Sequence, residues 1–135
     1  MFEMHIAEYL DTCGVEFTYE TETFPYTLPV RNHKCADCGS TAIEVLRSYT
    51  PDFFIVDNFI VEAKGIFSKA DRDKMIAFRE LYPDKDIRLL FYANRRLTRR
   101  GKKFYEDWAE EHGFKYYTKT STCIFPEDWI NECRS

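Results

Sequence analysis

Apolar positions change period several times along the 135-residue chain, and each change predicts an element. Phe2, Ile6, Tyr9 and Leu10 recur at helical spacing, so a short helix is expected over 2–12, ended by Gly14. Val15, Phe17 and Tyr19 alternate, as in a strand over 15–21. FPYTLPV, broken by Pro25 and Pro29, reads as an edge or a connector. The stretch 33–48 is the least regular. Residues 52–63 read as two strands joined at Val56-Asp57-Asn58. Ser68 then caps a helix to about Tyr82, with Met75, Phe78 and Leu81 as its apolar stripe and Pro83 as its stop. IRLLFY, 87–92, reads as a fully apolar interior strand. Thr98 is placed to cap a helix to His112, stopped by Gly113, before a short strand at 114–117. Pro126 opens a last helical segment through 133. This alternation predicts one α/β domain over 1–135, a mixed sheet flanked by helices, with an irregular insert at about 30–48.

One apolar stretch carries charge where a buried strand avoids it. YTPDFFIVDNFIVEAKG places Asp52 at one end and Glu62 and Lys64 at the other. Glu62 and Lys64 are two apart and share a strand face. A two-residue turn at 57–58 would set Asp52 opposite Ala63. A three-residue loop over 56–58 would set Ile55 against Phe59 and Asp52 directly across from Glu62, with Cβ atoms about 5 Å apart. We expect the three-residue loop, with Asn58 in the left-handed conformation, because it makes sense of the charges. Two carboxylates that close repel unless a cation lies between them, and hard oxygen donors suit Mg²⁺ or Mn²⁺. Lys64 beside them can orient or deprotonate an attacking water and balance phosphate charge. The plain alternative is an ion-paired cluster on a solvated face.

Composition narrows the class. With 44% hydrophobic and 31% charged residues the chain reads as globular rather than disordered. No apolar run reaches the roughly 20 residues of a membrane-spanning helix, so no membrane role is expected. MFEMHIAEYLD is amphipathic and acidic, unlike a secretory signal. Five cysteines, an odd count without an export signal, point to a reducing compartment. His33, Cys35 and Cys38 form H-x-C-x-x-C followed by Gly39, half of a structural zinc site. The other half would come from Cys13, Cys123, Cys133 or His33, or from the same knuckle of a second subunit. The plain alternative is a pair of free thiols.

The net charge of −4 does not announce a nucleic-acid binder, but the basic residues are clustered. RRLTRRGKK holds Arg95, Arg96, Arg99, Arg100, Lys102 and Lys103, six basic residues in nine. At the start of the helix expected from Thr98, this charge suits phosphate better than it suits the helix dipole. Lys69, Arg72 and Lys74 extend the patch.

Pro51-Asp52, followed about ten residues later by Glu62-Ala63-Lys64, resembles the PD-(D/E)-x-K nuclease motif. VEFTYE, Pro25-Tyr26, Pro29, YTPDFF, FIVEAKG, DRDKM, IRLLF, EEHGFKY and PEDWI, in that order, resemble bacteriophage endonuclease I, a family of junction-resolving enzymes that cut branched DNA. The resemblance implies a restriction-endonuclease-like fold, Asp52 and Glu62 as ligands of Mg²⁺ or Mn²⁺, and Lys64 as the catalytic lysine. It also implies that Glu3, placed on the first helix relative to Gly14, completes a second metal site. Read without it, Glu3 is a helix-start acid favoured by the dipole. The resemblance further implies an intertwined homodimer, a basic N-terminal arm, and the cytoplasm of a phage-infected bacterial cell. The chain begins almost at Glu3, and its segment between Pro29 and YTPD is longer than the family's short bridge and contains CADC. The expected function is a Mg²⁺-dependent endonuclease for four-way or other branched DNA junctions. The rivals are a nicking or restriction-like nuclease on linear duplex and a non-catalytic zinc-knuckle DNA-binding module.

Overall fold

The computed structural model describes residues 2–20, 23–30, 43–55 and 59–134. The first helix, α1 (Phe2–Thr12), buries Ile6 and Leu10 and stops at Gly14, whose φ of 72° is left-handed. The Val15 N–H bonds the Leu10 carbonyl at 3.0 Å and the Gly14 N–H bonds that of Asp11 at 3.1 Å. This pair of bonds closes the helix end and turns the chain into the sheet.

The main sheet contains β1 (Phe17–Tyr19), β4 (Phe53–Ile55), β5 (Ile60–Lys64), β6 (Ile87–Phe91) and β7 (Lys115–Thr118), ordered β1-β4-β5-β6-β7. The β1–β4 and β4–β5 pairs are antiparallel, while β5–β6 and β6–β7 are parallel, so the sheet is mixed as expected. Alternate residues feed two cores. Val61, Ala63 and Leu90 face α1 and α4 (Glu127–Arg134), packing with Ile6, Leu10, Phe125 and Trp129. Ile60, Leu89 and Phe91 face α2 (Lys69–Leu81) and α3 (Tyr105–Glu111), packing with Met75, Phe78, Trp108 and Phe114. Such layering, helices on both faces of a mixed sheet, is consistent with a restriction-endonuclease-like fold.

Three sequence expectations need correction. Residues 43–48, placed in the irregular stretch 33–48, belong to a strand: β2 (Phe24–Val30) and β3 (Ile43–Tyr49) pair antiparallel over seven positions as a separate two-stranded sheet. Pro25 and Pro29 are compatible with β2 because such a sheet has a free edge on either side. The interior strand β6 is buried throughout but not wholly apolar. Its Arg88 lies over the Phe59 ring at 3.8 Å and bonds Asp86 and Glu132, so the charge is buried with partners.

The third correction concerns the basic stretch. No helix begins at Thr98; α3 begins at Tyr105. Residues 95–104 instead form a hairpin-like loop closed by the Arg96–Phe104 bridge, with the Leu97 N–H on the Lys103 carbonyl at 2.9 Å. Before Phe104 this stretch has Gly101 and a single apolar residue, Leu97, so it has no face to bury. The acceptors for the first free N–H groups of α3 come from either side of the loop: Asp107 takes the Phe104 N–H at 2.8 Å, and Asn94 takes that of Glu106 at 3.1 Å. The cluster therefore precedes the helix rather than opening it: only Lys102 and Lys103 adjoin the Phe104 N-cap, and the dipole argument for phosphate does not reach Arg95 to Arg100.

Candidate active site

The loop at 56–58 lies outside the described residues, but the strands on either side fix its register. Phe53 pairs with Val61 and Phe54 with Ile60, and the Ile55 N–H bonds the Phe59 carbonyl at 2.9 Å. That is the expected three-residue register, and continued by one residue it sets Asp52 across from Glu62. The side chains then interlock. The Asp52 N–H donates to Glu62 Oε1 at 3.2 Å, and the Ala63 N–H donates to Asp52 Oδ2 at 2.9 Å.

Glu62 is only 2% exposed, on the sheet face toward α2. A buried carboxylate needs partners, and here it has three. The Tyr49 hydroxyl donates to Oε1 at 2.8 Å, the Asp52 N–H shares that oxygen, and Lys64 Nζ lies 3.3 Å from Oε2. Burial, then the charge of Glu62, hold the Tyr49 phenol well above its ordinary pKa, so it stays a donor.

Lys64 bridges two acids. Its Nζ is 3.2 Å from Asp71 Oδ1 as well as 3.3 Å from Glu62. Burial works to lower its pKa, but Glu62 and Asp71 outweigh it and hold Lys64 above its ordinary value. Asp71 is anchored in turn by the start of α2. Its Oδ2 accepts from the Ser68 N–H at 3.1 Å and from Ser68 Oγ at 2.9 Å, in a capping box. The sequence reading missed Asp71 and Tyr49. The S-x-x-D pattern at 68–71 signalled the cap, but not that the second oxygen of the same carboxylate would reach Lys64. Tyr49 read simply as another aromatic.

Asp52 is the strained member. Burial first, and then the nearby charge of Glu62, push its carboxyl up to about 7, against the Ala63 N–H and Lys64, which favour the anion. Glu3, in the first turn of α1, is near enough for its charge to add to that rise. A cation between Asp52 and Glu62 would relieve both burial and repulsion, and two carboxylates are a typical protein share of a Mg²⁺ shell, water and phosphate supplying the rest. Among the described residues no three His, Cys, Asp or Glu side chains form a ready cage. The donor set fits a hard divalent cation that shares its ligands with substrate.

The remaining predicted residues divide. Arg95, Arg96, Arg99, Arg100, Lys102 and Lys103 are all exposed on the loop that follows β6, and Lys103 pairs with Glu111 at 2.7 Å. Lys69 is exposed and paired with Asp73 at 2.9 Å, while Arg72 is turned to the Phe67 carbonyl at 2.9 Å. Cys35, Cys38 and His33 lie outside the described residues. Of the other candidate zinc ligands, the Cys123 and Cys133 thiols donate to the Phe125 and Trp129 carbonyls.

The whole chain, residues 1–135, matches the family model described as phage endonuclease I. It belongs to that family. Endonuclease I of Escherichia phage T7 is 32% identical over 131 residues, covering 96% of this chain and 76% of the relative. Endodeoxyribonuclease 1 of Enterobacteria phage T3 is 31% identical over 118 residues, covering 87% and 68%. As a member of the phage endonuclease I family the chain is an endodeoxyribonuclease, and the Asp52–Glu62–Lys64 cluster is its candidate centre. No helix among the described residues is long and apolar enough to cross a membrane.

Proposed function

We propose that this endonuclease is a Mg²⁺-dependent enzyme that cuts four-way and other branched DNA junctions as a homodimer, in the cytoplasm of a phage-infected cell. The observation that carries the chemistry is the buried Glu62 carboxylate, set across from a proton-retaining Asp52 and against Lys64. Asp52 and Glu62, with Glu3 from α1, would hold the metal. When bound, Mg²⁺ supplies charge to the phosphoryl oxygens and polarises the attacking water. Lys64 is held in its ammonium form by two carboxylates. Its part is to donate N–H bonds to the water or a phosphoryl oxygen and to balance developing charge. Tyr49 holds the Glu62 carboxylate in place from behind.

Opposed cuts in a junction need two active sites, so the homodimer follows from the proposed function. One feature favours a nucleic-acid substrate: the loop carrying six exposed cations leaves the sheet after Phe91, the register partner of Lys64, and so starts from the same sheet edge as the cluster. Arg99→Ala with Arg100→Ala is expected to weaken DNA binding and to reduce the slope of log affinity against log salt by about 2, read from titrations at several salt concentrations. An unchanged slope would remove this loop from the footprint.

The reading is tested with a labelled four-way junction and a linear duplex of the same arm sequence, each with Mg²⁺ and with EDTA. Paired cuts in the junction alone, lost in EDTA, are expected. Equal cutting of both would make it a linear-duplex nuclease. Binding without cutting would return the cluster to ion pairing.

Asp71 is the positioning residue of this scheme. Asp71→Asn keeps an acceptor for Ser68 but removes the charge facing Lys64, and is expected to slow single-turnover cleavage roughly tenfold or more in the folded molecules. Ser68→Ala should do the reverse, costing about 1 kcal/mol in urea unfolding while each folded molecule keeps its rate.

A further inference from the structure

We propose that Tyr92 and Lys119 form a subsite for a nucleotide of the cut strand, stacking its base on the tyrosine ring and pairing its phosphate with the lysine. The inference rests on the DNA-cutting reading and extends it past the metal-binding cluster.

The placement follows from the sheet. Lys64, Phe91 and Thr118 are register partners across the three parallel strands β5, β6 and β7. The next residues are tied to the same row. The Tyr92 N–H bonds the Lys64 carbonyl at 3.0 Å, and the Lys119 N–H bonds the Phe91 carbonyl at 2.9 Å. Strands lie about 4.8 Å apart, so Lys119 starts roughly 10 Å along the edge from Lys64, with Tyr92 between. This is the carboxyl edge of the parallel strands, where open α/β sheets bind ligands.

The side chains suit a nucleotide. Tyr92 is 46% exposed, unusual for an aromatic residue in contact with a core element. Its ring is nevertheless held: the Phe2 ring meets it edge-on at 5.4 Å and 83°, and Lys119 Nζ stands 4.4 Å from its centroid. Phe2 adjoins Glu3 on α1, so the same turn that presents the acid also backs the ring. A fixed, half-open ring with a cation over it is the combination that binds single-stranded nucleic acid: the ring accepts any base, and the cation follows the backbone. Beyond Lys119 an open cavity of about 390 Å³, lined by Lys119, Thr120, Ser121, Thr122 and His5 with Glu8, leaves room for the sugar and phosphate. The ring stands on the α1 side of the sheet edge, against Phe2, while Glu62 lies on the α2 side, so a nucleotide that has left the duplex stack reaches it more readily than a paired one. The subsite therefore favours DNA with unpaired or splayed strands.

The test uses a four-way junction carrying 2-aminopurine around the point of strand exchange, bound without divalent metal to the wild type and to Tyr92→Ala, Tyr92→Phe, Tyr92→Leu and Lys119→Met. The wild type is expected to change the fluorescence of at least one probe. Tyr92→Ala should lose that change and bind about tenfold more weakly, and Tyr92→Phe should keep both. Lys119→Met should lower the salt slope by about 1. Melting temperatures should stay together, because Tyr92 and Lys119 lie outside the two cores. Tyr92→Leu keeps an apolar side chain against Phe2 without a stacking face. If it binds and responds like the wild type, or if Tyr92→Ala does, the subsite is overturned. A wild type that binds and responds but never cuts with Mg²⁺ would overturn the nuclease reading and leave the strand contact standing.

Discussion

Replacing Glu62 by Gln should leave a folded protein that cuts DNA at least about a thousandfold more slowly. The substitution keeps the size of a side chain that is 2% exposed, so it opens no cavity. The amide oxygen still accepts from Tyr49 and from the Asp52 N–H. What changes is the second atom. An –NH₂ group now faces Lys64 Nζ, 3.3 Å away, donor against donor. Lys64 is left with Asp71 alone, and the charge that holds a divalent cation beside Asp52 is halved. Single-turnover rates at saturating Mg²⁺, beside a melting curve, separate these effects. If Glu62→Gln cleaves within tenfold of the wild type, Glu62 is a structural partner of Tyr49, and the metal must be held elsewhere.

The parts of this site that were legible in the sequence share one property: they follow from counting. Ten residues and a three-residue loop set Asp52 across from Glu62, and a spacing of two puts Lys64 on the same face as Glu62. The end of α1 at Gly14 was legible for the same reason, since one residue type is strongly favoured in a left-handed cap. What escaped depends on contacts between distant segments. Asp71 reaches Lys64 only because α2 starts close beside the end of β5. Tyr49 reaches Glu62 only because the small β2–β3 sheet packs against α2, where Phe24 and Tyr49 both meet Phe78. Arg88 was lost among the apolar residues of its strand, and its partner Glu132 is 44 positions away. The false helix start at Thr98 has a local cause. Thr98 is a good capping residue, but helix formation depends on an apolar face to bury, and 98–104 has none until Phe104.

The metal-free protein should lose stability as pH rises from about 4 to about 7, and Asp52→Asn should abolish most of that loss. The folded-state pKa of Asp52 is raised from 3.8 to about 7, by burial first and then by Glu62. Between those values the folded protein keeps a proton that the unfolded chain has released, so raising the pH favours unfolding. At ~1.4 kcal/mol per pH unit the effect has a ceiling of about 4 kcal/mol, less in practice because Asp52 is only partly buried. Asp71 and Glu132 have lowered pKa values, so the stability they contribute is present above their ordinary values of 3.8 and 4.5 and is lost as pH falls below them. Their window lies below that of Asp52, and the two trends do not cancel. Urea midpoints of both proteins across pH 4–8 in EDTA should diverge as pH rises, with Asp52→Asn the more stable at pH 8. Parallel curves would mean that Asp52 carries no such strain. Adding Mg²⁺ at pH 8 should then stabilise the wild type and leave Asp52→Asn nearly unchanged, because a cation beside the Asp52 anion relieves both the burial and the repulsion that make the metal-free fold costly.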